Sequence, residues 1–304
     1  MENKQIFEFS KNKTDGDFSL NNLLGGKGAN LAEMSKMGIP VPPGFTITTE
    51  VCNYFTENKE LPVNLNQDIK KAVSKLETFS DKSFSGKGTP LLLSVRSGGR
   101  ISMPGMMDSI LNIGLNDNNV SHLAETFNDE RFALDSYRRL IQMYSNVVLG
   151  VEHDRFEAVL ANKKRLDNVA SDADFNVEQL KWIINAYKNT VERFTNAEFP
   201  QDPYEQLMGS IEAVFNSWQN KRAATYRKIN NIPDEWGTGA TVQTMVFGNL
   251  NDKSGTGVAF TRNPSNGLKE LYGEYLINAQ GEDVVAGIRT CLLYTSPSPR
   301  DIGE

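Results

Sequence analysis

The sequence predicts an α+β chain, and three observations carry that expectation. Between about 118 and 236, apolar residues recur at helical spacing, whereas after Pro233 they alternate in the period of strands. A third signal is the apolar run Leu91-Leu92-Leu93, bounded by Pro90 and by Gly98-Gly99, which is short and punctuated at both ends and so reads as a buried strand.

Along the chain, Gly25, Gly26 and Gly28 surround Lys27. Leu31, Met34 and Met37 follow at helical spacing until Gly38 and the prolines beyond it. Lys27 therefore falls at a helix N-terminus, where partial positive charge and unpaired N–H groups favour an anion. A surface lysine in a loop is the plainer alternative. Gly44 to Thr48 reads as a strand, and Thr49 as the cap of a helix with Val51, Tyr54 and Phe55 on its apolar face. The strand from Leu91 delivers Arg96 into a loop with Gly98, Gly99 and Gly105. A guanidinium so placed matches phosphate oxygens, and the glycines let backbone N–H groups approach an anion.

The helical stretch carries three apolar stripes: Leu134, Tyr137, Ile141, Tyr144 and Val148; Leu180, Ile184, Tyr187, Val191 and Phe194; and Leu207, Ile211, Val214 and Trp218. The last helix opens on Asp202-Pro203-Tyr204-Glu205, a cap followed by proline at the first helical position. Arg138 and Arg139 read as solvated or salt-bridged faces. Segments 241–247, 257–262 and 271–277 alternate and read as a meander of antiparallel strands, with a turn at Asn251-Asp252 and Ser254-Gly255. Past its end, Glu282 and Asp283 suit either ribose hydroxyls or the first turn of a helix.

The 304 residues carry a net charge of −6 and a pI near 5.2, which argues against nucleic acid as a partner but leaves room for a nucleotide in a local positive pocket. The charged N-terminus lacks a signal-peptide core, and no stretch approaches the ~18 apolar residues of a membrane span, so the expected setting is cytoplasmic, with no membrane partner. Cys52 and Cys291 are too few for a disulfide framework, no His/Cys spacing suggests zinc, and His122 and His153 read as surface residues. Residues 291–301, CLLYTSPSPRD, break the preceding pattern and resemble a translated sequencing-library adapter, with a Ser/Pro-rich tail as the bland alternative. On the adapter reading, native sequence ends at Thr290.

Lys27 in its glycine loop, SVRSGGRISMPGMMDSILNIGLND from Ser94, QTMVFGN from Gln243, SGTGVAFTRNPSNG from Ser254 and GEYLINAQGEDVVAGIRT from Gly273 resemble the ATP-grasp domain of the pyruvate phosphate dikinase family. The resemblance covers residues 5–290. The related pyruvate, water dikinases share Lys27, its glycines and Ser94-Val95-Arg96-Ser97, but differ in the loop that here reads SMPGMMDSILN.

The resemblance implies an ATP-grasp fold with a helical insert between two α/β lobes: one lobe over 1–117, the helical part over 118–236, a second, incomplete lobe over 237–290, and a non-native tail over 291–304. It implies ATP and Mg2+, with Lys27 and Arg96 as catalytic contacts to the nucleotide phosphates. Gln243, Thr244, Met245 and Val246 would lie along adenine, and Glu282 or Asp283 on ribose. Ser102, Met103, Pro104 and Gly105 would form a loop over the phosphates, with Met106 and Met107 packing or closing it and Asp108 capping a following helix. The implied reaction converts ATP, pyruvate and inorganic phosphate to AMP, phosphoenolpyruvate and diphosphate through a phosphohistidine on another domain, in a homodimeric full-length enzyme. The family's metal ligands are expected beyond Thr290, and a non-catalytic nucleotide-binding module is the remaining alternative.

Overall fold

The structure, a computed structural model, describes residues 4–285 and 292–294. It forms two compact units, Met1–Met245 and Val246–Glu304.

In chain order the first unit contains β1 (Ile6–Phe9), α1 (Asn21–Lys36), β2 (Gly44–Ile47), α2 (Thr49–Asn58), α3 (Leu65–Ser80), β3 (Leu93–Gly98) and β4 (Ser109–Ile113). Six helices follow: α4 (Val120–Phe127), α5 (Glu130–Val147), α6 (His153–Asp167), α7 (Val177–Thr195), α8 (Pro203–Ser217) and α9 (Lys221–Ile229). The unit then returns to the sheet with β5 (Gly239–Thr244). The second unit contains β6 (Gly255–Phe260), β7 (Tyr272–Ile277), α10 (Gly281–Val285) and β8 (Leu292–Tyr294).

Five antiparallel strands in the order β1-β2-β5-β3-β4 make the sheet of the first unit. This corrects the expected meander: the strand expected at 241–247 forms as β5, which does not join β6 and β7 but inserts between β2 and β3, and all six residues of Gly239–Thr244 are buried. Alternation marks a strand without naming its neighbour, so local pattern could not choose the partner. β6 and β7 do pair with each other, and β7 also pairs with β8.

Strand alternation separates two faces. Val95 sits opposite Val242 and both are buried, while Arg96 sits opposite Thr241 on the other face. There the Thr241 and Thr46 hydroxyls lie 3.3 Å apart, and α1 packs so closely that a Cβ on Gly28 would come 2.7 Å from the Thr46 hydroxyl.

Among the helices, Tyr137 and Tyr144 both meet Phe199 edge to face, and Phe156 meets Tyr187. Leu134, Ile141, Leu180, Ile184, Val191, Leu207, Ile211, Val214 and Trp218 are buried as their spacing implies, whereas Phe194 and Tyr54 are exposed. Asp202 caps α8 by accepting from the Tyr204 and Glu205 N–H groups, with Pro203 at the first helical position. The cap of α2 is Thr48, not Thr49, whose hydroxyl donates to the Asn22 carbonyl at 3.0 Å.

Arg138 is not a solvated face. It is 3 % exposed and pairs at 2.8 Å with Asp135, which also takes Arg139 at 3.0 Å. These arginines hold the Asp135 carboxyl down at about 2 against the opposing effect of burial. Among the described residues no helix is long and apolar enough to cross a membrane. Of the segment 291–304, only Leu292–Tyr294 belongs to the described residues.

Candidate functional site

Gly25 breaks α1 with φ 68°, so the helix effectively restarts at Gly26 and Lys27 lies in its first turn. The break lets two chain segments touch: a Cβ on Gly25 would lie 1.7 Å from the Gly98 carbonyl oxygen, a contact only glycine permits. Gly26 N–H donates to the Gly99 carbonyl at 2.8 Å, and Lys27 Nζ donates to the Ser97 carbonyl at 2.7 Å. The end of β3 and the start of α1 are thereby fastened together, with Lys27 laid against Gly98.

This fastening corrects one expectation. The Gly98 N–H is already donated to the Thr238 hydroxyl at 3.1 Å, and the Gly26 N–H is occupied as well, so neither is free for an anion. At Gly25, Gly26 and Gly98 the backbone serves the close approach of the two segments.

Arg96 projects from β3 on the face shared with Thr241. One Nη donates to Gln243 Oε1, and Gln243 in turn donates Nε2 to the Pro42 carbonyl at 2.9 Å. Gln243, read from sequence as part of an adenine strand, thus orients the arginine. Arg96 Nε is buried with no hydrogen-bond partner, as is the Thr244 hydroxyl. A buried guanidinium N–H left unpaired is destabilising unless an acceptor arrives.

Burial, and secondarily the charge of Arg96, push the Lys27 ammonium down to about 8, and burial lowers Arg96 too. Among the described residues no carboxylate pairs with either side chain, so there the two cations have no counter-charge. That is the electrostatic condition for an anion site.

The remaining expected residues are placed as follows. Met245 N–H donates to the Leu92 carbonyl at 2.9 Å, continuing the line of β5, while Val246 is 71 % exposed and opens the second unit. In the loop, Met103 is buried and Ser102, Pro104 and Gly105 are exposed. Asp108 does not cap a helix, because β4 follows it; its carboxylate pairs with Arg222 instead. Arg222 Nε and Asn220 Nδ2 both donate to the Met106 carbonyl, at 3.0 and 3.2 Å. Sequence reading missed Asn220, Arg222 and Thr238, since nothing in their local pattern points to a loop more than a hundred residues earlier. Asp283 accepts from the Gln280 N–H at 2.9 Å at the start of α10, the helix-terminus arrangement; the Glu282 side chain lies outside the described residues. Among the described residues no cluster of three or more His, Cys, Asp or Glu side chains could hold a metal ion, so Mg2+ finds no assembled ligand set in them.

A family model described as pyruvate phosphate dikinase, AMP/ATP-binding domain, matches residues 21–84 and 56–297. The chain belongs to this family. Its dikinase relatives include the pyruvate, phosphate dikinases of Rhizobium meliloti, 51 % identical over 94 % of this chain, and of Clostridium symbiosum, 52 % identical over 94 %. The chloroplastic pyruvate, phosphate dikinase 1 of Arabidopsis thaliana is 51 % identical, again over 94 %. These alignments cover 32 %, 33 % and 30 % of the three dikinases, so the chain spans about a third of their length.

Proposed function

We propose that this chain is the ATP-binding part of a pyruvate, phosphate dikinase with an ATP-grasp fold, in which Lys27 and Arg96 hold the nucleotide phosphates. The observation that carries the reading is the uncompensated pair itself: two part-buried cations, one with an orphaned Nε, in a member of an AMP/ATP-binding domain family. Rigid donors fixed before the substrate arrives stabilise charge that shifts during phosphoryl transfer without reorganising. Gln243 sets the angle of Arg96, and the Ser102–Gly105 loop covers the phosphates. The same reading assigns Thr244, Met245 and Val246 to adenine and Glu282 or Asp283 to ribose. It leaves inorganic phosphate, pyruvate, Mg2+, the phosphohistidine domain and the homodimer contact to the longer protein.

The test is AMP formation by a full-length protein carrying this sequence. Turnover is expected to require both pyruvate and inorganic phosphate, and Arg96→Ala to remove most of it. Turnover without inorganic phosphate would instead indicate a water dikinase.

A further inference from the structure

Arg100 lies two residues beyond Gly98, on the stretch of backbone that touches α1. The Gly99 carbonyl accepts from Gly26 N–H, and the Arg100 carbonyl accepts from Asn21 Nδ2 at 3.2 Å. Its main chain is therefore fixed to the element that carries Lys27. Its side chain is not comparably engaged. The guanidinium stacks on the Trp236 ring, 5.1 Å from the centroid, and its Nε is buried without a hydrogen-bond partner. Among the described residues no carboxylate pairs with it. A half-buried arginine with an unmet donor, held only by a ring face, is in a weak resting contact, because charge-assisted hydrogen bonds to phosphate exceed a partly exposed cation–π contact.

We propose that Arg100 is a third phosphate-binding residue, parked on Trp236 in the ligand-free chain and transferred to the terminal phosphates of the bound nucleotide. This rests on the ATP-binding reading above and adds a specificity to it. Lys27 and Arg96 hold any adenine nucleotide phosphate, while Arg100 answers only the longer chain. Trp236, released from its cation, reports the transfer.

The experiment is a fluorescence and calorimetric titration of the protein with ATP and with AMP, for wild type, Arg100→Ala, Arg100→Lys, Trp236→Leu and Arg96→Ala. Arg100→Ala is expected to weaken ATP roughly tenfold, about one charge-assisted hydrogen bond, and to leave AMP unchanged. Arg100→Lys should recover part of the loss. Trp236→Leu, which removes the competing contact, should bind ATP at least as tightly as wild type while losing the fluorescence response. If Arg100→Ala binds ATP like wild type while Arg96→Ala does not, the role of Arg100 is overturned and the ATP site stands. If wild type binds neither nucleotide, both readings fall. Equal losses for ATP and AMP would mean that Arg100 only supports the fold of the loop.

Discussion

At the scale of single residues, Lys27 has the most measurable property. Its ammonium is less favoured in the folded chain than in the unfolded one, with burial the larger cause and Arg96 the smaller. The sign follows from linkage. Between about 8 and 10.5 the unfolded chain holds a proton that the folded one has released, so folding stability rises with pH across that window. Below it a penalty of roughly 3 kcal/mol is present in full. A bound phosphate reverses the preference and restores the ammonium. ATP binding near pH 8.5 is therefore expected to take up a fraction of a proton, read as a buffer-dependent heat in titration calorimetry, and affinity should fall as pH rises through 8. A heat identical in buffers of different ionisation enthalpy would refute the coupling. Gly25 gives a second prediction. Gly25→Ala meets the Gly98 carbonyl and a positive φ together, and is expected to lower the stability measured by urea unfolding by about 3 kcal/mol or more. Gly38→Ala, also at positive φ but in open space, should cost only about 1 kcal/mol. Lys27, Arg96 and the glycines beside them were picked out in the sequence by the strand and helix boundaries at which they fall, and the structure brings these segments together. The Gln243 and Thr238 partners were not, because a hydrogen bond across about 140 residues leaves no local periodicity.

At the scale of elements, the loop between β3 and β4 is governed from a distance. The start of α9 fastens residues 106–108 through Asn220, which also caps that helix, and through Arg222. Arg222→Ala is expected to raise amide exchange in 101–108 roughly tenfold while leaving β3 and β4 protected, as hydrogen exchange by mass spectrometry would show. Exchange unchanged in the loop would mean that Asn220 holds it alone. The helices themselves were readable because period and caps coincide, as at Asp202-Pro203. Asp108 was misread because a carboxylate before a periodic segment looks the same whether a helix or a strand follows. For Arg138 the salt-bridged reading holds and the solvated one does not, and sequence could not choose between them because it cannot show that Asp135, one turn earlier, is buried with it.

At the scale of the whole molecule, the five-stranded sheet and its central strand belong entirely to the first unit. The second unit buries a small cluster of Leu276, Ala279 and Val284 among its described residues, and most of β6 is exposed. A chain ending after Met245 is therefore expected to unfold cooperatively, with a midpoint within about 5 °C of the longer chain by circular dichroism. A non-cooperative melt would show that the first unit depends on the second. The α+β class was legible from the change of period near Pro233, but sheet order was not, because strand pairing is decided by burial and not by neighbourhood in sequence. The late position of β5 has a consequence for synthesis. β2 and β3 cannot be bridged until a strand some 140 residues after β3 has left the ribosome, roughly 10–30 s at ordinary elongation rates. During that interval the β1–β2 and β3–β4 pairs each present an open edge, and the first unit is most exposed to chaperones and to aggregation before β5 has been made.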